Sequence, residues 1–110
     1  MAKYNLTNKA VKDLADIWNY TYDTWSERQA DEYYNMLIVS CNQIAECPNL
    51  LGKRYDEILE GIRGFKTNKH IIFYRIVHDN EVEIVRILHE RMDLRHRINE
   101  NRTITVVKKS

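Results

Sequence analysis

The segments HIIFYRIV (His70–Val77) and EVEIVRIL (Glu81–Leu88), separated by His78-Asp79-Asn80, decide the fold. Both are short runs dense in Val, Ile, Phe and Tyr, and the Asp-Asn break between them reads as the loop of a β-hairpin. With Asp79-Asn80 as a two-residue loop, Tyr74 faces Val85, Phe73 faces Arg86 and His70 faces His89. Alternation then puts Ile71, Phe73, Arg75, Val77, Val82, Ile84, Arg86 and Leu88 on one face. His70, Ile72, Tyr74, Ile76, Glu83, Val85, Ile87 and His89 fall on the other. Neither set is cleanly apolar, whereas a sheet with one dry and one wet face alternates sharply. Helices are therefore expected over one face, and a partly apolar, partner-binding or site-bearing groove on the other. If Arg75 and Arg86 lie under the helices, they need carboxylate partners such as Asp13 or Asp31.

Working outward, Gly61 and Gly64 bracket a preceding strand, Ile62–Lys66, and Asn49–Glu60 reads as a loop with a Gly52-Lys53-Arg54 turn. Upstream, Lys3-Tyr4-Asn5-Leu6 is a short strand candidate, and Thr7 or Asn8 is a suitable N-cap for a helix over residues 8–24. Val11, Leu14, Trp18, Tyr22 and Trp25 recur at three- and four-residue steps, with Lys12, Asp13, Asp16 and Asn19 on the other side. Ser26 and Gln29 form a capping box for a second helix, striped by Ala30, Tyr33, Leu37, Cys41 and Ile44 and ended by Pro48. So short a joint makes the two helices an antiparallel hairpin. Beyond Asp93 the chain is rich in Arg, Asn and Glu, with one more strand candidate at Thr103–Val107 and a solvated Lys108-Lys109-Ser110 end. The order β-α-α-β-β-β implies an α+β fold, a helical hairpin packed on a small, mostly antiparallel sheet.

A length of 110 residues suits one domain. No apolar run approaches the roughly 20 residues of a membrane-spanning helix, and Met1–Asn5 lacks the apolar stretch of a signal peptide. A cytoplasmic protein with no membrane partner is expected. Cys41 and Cys47 point to different sides of their helix and are expected as buried or half-buried free thiols. Charge is uneven: residues 1–60 hold six Lys/Arg against ten Asp/Glu, and residues 61–110 hold eleven against six and all four His. An anionic partner would meet the C-terminal half. Neither helix is basic enough to serve as a nucleic-acid recognition helix, so no sequence-specific nucleic-acid binding is expected.

Several pieces of the chain resemble the ParE branch of the RelE/ParE toxin superfamily, the plasmid-stabilisation toxins. They are Leu6-Thr7, Ala10 and Asp13-Leu14 at the start of the first helix; Trp25 and Gln29-Ala30 at the helix joint; Pro48; Gly61-Ile62-Arg63; His70-Ile71-Ile72-Phe73-Tyr74-Arg75; and Ile87-Leu88-His89-Glu90-Arg91-Met92-Asp93. The set spans about residues 4–96, so a ParE-like domain over residues 1–96 and a polar C-terminal extension over 97–110 are expected. The resemblance implies a growth-arresting toxin component of a type II toxin–antitoxin system, neutralised by a ParD-like antitoxin and inhibiting DNA gyrase. RelE-like relatives on the same fold are ribosome-dependent messenger-RNA endonucleases, and fold alone does not choose between them.

The residues bear on that choice. In the ribonuclease branch an arginine often follows the central-strand histidine and a His-Tyr-like pair ends the chain; here Ile71 follows His70, and His89-Glu90-Arg91 has no Tyr. The primary expectation is a non-enzymatic inhibitor with Arg63, Arg86, His89, Arg91 and Arg95 as its target-binding surface. Arg63, Arg86 and His89 would be the catalytic set of a nuclease. A toxin-fold protein that serves only as a binding partner is the third possibility. Arg91 and Asp93 are equally readable as a local ion pair. Trp18, Tyr20, Tyr22, Trp25, Tyr33 and Tyr34 exceed what one stripe can bury, and Trp18, Tyr22, Trp25, Tyr33 and Tyr34 are the expected antitoxin-binding groove. Two facing histidines without a third ligand do not make a metal site, so neither metal nor cofactor is expected.

Overall fold

The computed structural model describes residues 3–79 and 81–99. Strand β1 (Lys3–Leu6) leads into helix α1 (Asn8–Thr24), helix α2 (Glu27–Glu46) and a helical turn α3 (Pro48–Leu51). Strands β2 (Lys53–Arg54), β3 (Arg63–Thr67), β4 (His70–His78) and β5 (Glu81–His89) follow. Residues 94–99 form a last helical segment. The sheet order is β1-β5-β4-β3-β2. All neighbours are antiparallel except β1, which runs parallel to β5 on the far edge. The expected α+β architecture holds, with α3 and β2 inserted in the stretch read as loop. The strand candidate at Thr103–Val107 lies outside the described residues.

Local chemistry sets the helix ends. Thr7 is the N-cap of α1: its Oγ1 accepts from the Ala10 amide at 3.0 Å and donates to the Val85 carbonyl at 2.7 Å. One hydroxyl thus caps the helix and pins it to β5. Ser26 caps α2 through its Oγ, which accepts from the Gln29 amide at 3.1 Å. Only Trp25 and Ser26 separate the two helices. Pro48 occupies the first position of α3, where a proline loses no helical hydrogen bond. The Tyr74 hydroxyl donates to the Pro48 carbonyl at 2.5 Å and accepts from the Gly52 amide at 3.1 Å. Gly52 must be glycine here, because a Cβ would run into the Tyr74 ring and hydroxyl.

The β4–β5 register keeps His70 opposite His89 and Phe73 opposite Arg86, but then shifts. Tyr74 pairs with Ile84, not Val85, so Val85 is the extra residue of a bulge. The bulge re-sorts the faces. Ile72, Tyr74, Val82, Ile84 and Ile87 join Leu14, Leu37, Cys41 and Ile44 in the core beneath the helices. Val85 instead joins Ile62, Ile71, Phe73 and Leu88 on the opposite face. That face is not an open groove. Tyr55, Ile58, Leu59 and Leu94 pack over it, and Ile98 is buried in it.

Three further expectations are corrected. The buried stripe of α1 is Ala10, Asp13 and Leu14, while Val11 and Trp25 are exposed. The helix is rolled so that small Ala10 lets it approach the sheet and Asp13 meets Arg86. Arg75 lies away from the helices and pairs with Glu83 across the strands at 2.6 Å, so only Arg86 draws on a helix carboxylate. Both cysteines are free, but Cys47 is exposed at the α2 C-cap rather than half-buried.

Candidate functional site

Helix α1 has two flanks beside its buried stripe. Lys9, Lys12, Asp16 and Tyr20 follow at three- and four-residue steps on one, and Val11, Trp18 and Tyr22 lie on the other. The first flank walls a groove of about 940 Å³. Its other walls are Trp25, Gln29 and Tyr33 from the helix joint and α2, Asn68 and Lys69 from the β3–β4 turn, and Met92 and Arg97 from the chain after β5. His70, Arg86, Ile87 and His89 contribute from the ends of β4 and β5. Asn68 takes φ 57° in that turn, a left-handed conformation that asparagine tolerates, and this brings Lys69 to the rim.

The floor is polar. Asp13 and Arg86 form a two-pronged ion pair, with Nε to Oδ2 at 2.8 Å and Nη2 to Oδ1 at 2.9 Å. Asp13 Oδ2 also accepts from the Ile87 amide at 3.0 Å, and Arg86 Nη1 donates to the Arg97 carbonyl at 3.1 Å. The Tyr33 hydroxyl lies 2.7 Å from His70 Nδ1, and the His70 and His89 rings meet edge to face with centroids 5.3 Å apart. Burial, then the neighbouring His89, pushes the His70 pKa down to about 4, so the ring is neutral at neutral pH. Burial also raises the Tyr33 phenol, which stays protonated. His89 Nδ1 accepts from the Arg91 amide at 3.1 Å. Beside this floor, Lys66 and Glu90 pair at 2.8 Å, and Lys66 holds the Glu90 carboxyl below its usual range.

The five expected target-binding residues do not form one surface. Arg86 and His89 line the groove, and Arg91 follows on the exposed turn after β5. Arg63 lies at the other end of the sheet, paired with Tyr74, and its Nη2 donates to the Asn49 and Gly52 carbonyls at 3.0 and 2.8 Å. Arg95 reaches the Glu57 carbonyl at 2.6 Å. Arg91 and Asp93 make no ion pair among the described residues; Asp93 Oδ1 instead accepts from the His96 amide at 3.1 Å, capping the helical segment. Sequence reasoning passed over Lys9, Lys12, Lys69 and Arg97 as groove residues. The helical spacing of Lys9, Lys12, Asp16 and Tyr20 was a usable signal; the other positions come from separate segments.

The five aromatic residues divide between the flanks. Trp25 and Tyr33 line the groove. Trp18 and Tyr22 stack on the opposite flank, with centroids 5.2 Å apart and planes at 9°. Trp18 Nε1 donates to Asp31 on α2 at 2.9 Å. Tyr34, one turn beyond Asp31, is also exposed.

Comparisons with known proteins bear on the family and the fold. The family model "ParE toxin of type II toxin-antitoxin system, parDE" matches residues 4–94. Toxin ParE1 of Mycobacterium tuberculosis is 36% identical over 93 residues, covering 84% of this chain and 94% of that protein. Toxin ParE1 of Caulobacter vibrioides is 36% identical over 95 residues, covering 86% and 96%. Among solved structures, a chromosomal ParDE system from P. aeruginosa superposes with a TM-score of 0.69 at 20% identity, over 81% of this chain and 96% of that one. The toxin-antitoxin complex RelBE2 from M. tuberculosis gives 0.62 at 19% identity, over 80% and 96%. At those identities the two structures show the shared fold. The sequence matches show more: this chain belongs to the ParE family of type II toxin–antitoxin toxins.

Proposed function

We propose that this toxin arrests growth by binding DNA gyrase, without covalent chemistry of its own, and that a ParD-like antitoxin neutralises it. The observation that carries the reading against a nuclease is the separation of Arg63 from Arg86 and His89. Arg86 is committed to Asp13, and Arg63 is tied to two main-chain carbonyls away from the groove. His89 has one ring nitrogen occupied by a main-chain amide. A scissile phosphate would meet no converging acid, base and cation set made of these three. Arg91 and Arg95 remain exposed for a target surface.

The antitoxin is assigned to the Trp18–Tyr22 flank, extended by Tyr34. Large aromatic rings on a rigid helix pair are the side chains that anchor interfaces, and this flank offers a stacked pair in place. The test uses purified protein in two parallel reactions, gyrase supercoiling with cleavage-complex detection and coupled translation. Loss of supercoiling with intact translation is expected, restored by a ParD-like antitoxin and not restored when Trp18→Ala and Tyr22→Ala are combined. Intact supercoiling with cut messenger RNA overturns the gyrase assignment.

A further inference from the structure

We propose that the groove between α1 and the ends of β4 and β5 binds a short stretch of single-stranded nucleic acid, without sequence preference. Bases stack on Trp25 and Tyr20, phosphates meet Lys69 and Arg97, and base edges meet Tyr33 and His89. This goes beyond the target assignment above and stands whichever macromolecule the toxin inhibits.

Three observations carry it. The first is charge. Five cationic side chains and two carboxylates line the groove. Arg86 is spent on Asp13 and Lys12 on Asp16, while Lys69 and Arg97 have no carboxylate within ion-pair distance among the described residues. The second is the pair of rim aromatics. Trp25 is 71% exposed and Tyr20 69%, although both face a concave surface. Exposed rings beside cations are the pattern by which single strands are held without base-specific readout. A duplex hides its base faces and cannot use such rings. The third is the floor. It is made of the Tyr33 hydroxyl, two histidine rings and the Asp13–Arg86 pair. An acidic peptide would also satisfy the cations, but it has no flat faces to stack on Trp25 and Tyr20, which a single strand has in its bases.

The experiment is fluorescence anisotropy of the full chain with labelled oligothymidylate and oligouridylate of roughly eight nucleotides, a length in the range single-strand-binding folds cover. Saturable binding is expected, with a salt slope for the Lys69 and Arg97 contacts of about −1.4, from about −0.7 per phosphate neutralised. Lys69→Glu, Arg97→Glu and Trp25→Ala should each weaken binding about tenfold or more. Lys53→Glu, on the far edge strand, should not change it. Trp18→Phe leaves Trp25 as the sole tryptophan, since the chain has two, and its emission should be quenched by the oligonucleotide. Circular dichroism confirms that each variant is folded. Absence of saturable binding at low salt overturns the proposal, as does binding that the three groove variants leave intact. Displacement of the oligonucleotide by oligoglutamate at equal or lower concentration also overturns it, and makes the groove an acidic-peptide site.

Discussion

Replacing Asp13 with alanine removes the carboxylate that holds Arg86 by two hydrogen bonds, and the guanidinium cannot escape to water. The side chains of Arg86 and Asp13 are only 7% and 11% exposed. Breaking one side of a buried pair costs roughly 3–5 kcal/mol, because an uncompensated charge stays behind. The Ile87 amide loses its acceptor as well, and that cost of about 1–3 kcal/mol falls within the same range. With a urea slope of about 1.5–2 kcal/mol/M for a domain of this size, the unfolding midpoint should fall by roughly 2 M. Against a total stability of about 5–15 kcal/mol, that is a large fraction. The assay is urea denaturation followed by circular dichroism. A second variant separates charge from packing: Asp13→Leu with Arg86→Met removes both charges, and most of the loss should return, because apolar replacement of a buried pair is often neutral or stabilising. If Asp13→Ala costs less than about 1 kcal/mol at unchanged slope, or if the double variant is as damaged as the single, the ion pair is not what holds α1 to β5.

Three other outcomes are expected. Gly52→Ala should destabilise by about 1–3 kcal/mol in the same assay, because the added methyl displaces the Tyr74 ring and hydroxyl from α3; a change within about 0.5 kcal/mol would show that the turn yields freely. The folded His70 pKa of about 4 lies below the ordinary 6.5, so the unfolded chain takes the proton first. Its contribution is complete above pH 6.5 and declines as pH falls toward 4, a slope that His70→Asn should remove from a urea-midpoint series; an equal slope in both proteins would refute it. A thiol reagent should modify Cys47 in the native protein and reach Cys41 only on unfolding, since burial pushes the Cys41 thiol up to about 12. Two native-state modifications per chain would count against the packing of α2.

The legible parts of this fold were those written in local chemistry. The Thr7 and Ser26 caps, the joint between the helices and the open end of the hairpin at His70 and His89 follow from spacing and residue type. The bulge at Val85 did not show, because EVEIVRIL carries apolar residues at both parities and alternation cannot detect one extra residue there. The roll of α1 was misread because a charged Asp13 was assigned to solvent in the helical stripe, although Arg86 was named as needing a carboxylate such as Asp13. A two-residue strand, Lys53–Arg54, lies below any pattern's reach. The groove escaped because its walls come from α1, α2, a turn, two strand ends and the segment after β5, so no linear motif contains it. The family resemblance rested on the same local pieces and located His89 and Arg86 without locating their neighbours.

The parallel pairing of β1 with β5 joins the first described strand of the chain to the last, so the first waits for the last. Lys3 pairs with Glu81 and Leu6 with Ile84, and the Thr7 hydroxyl reaches Val85 across 78 residues. Bringing such distant segments together costs loop entropy that only the finished contacts offset. On a ribosome, then, α2 can already meet β3 and β4 through Ser40–Thr67 and Tyr33–His70, but α1 and β1 gain their contacts to the sheet only when β5 has emerged. A nascent chain stopped before Glu81 would hold α1 with no partner for Asp13 and β1 with no neighbour.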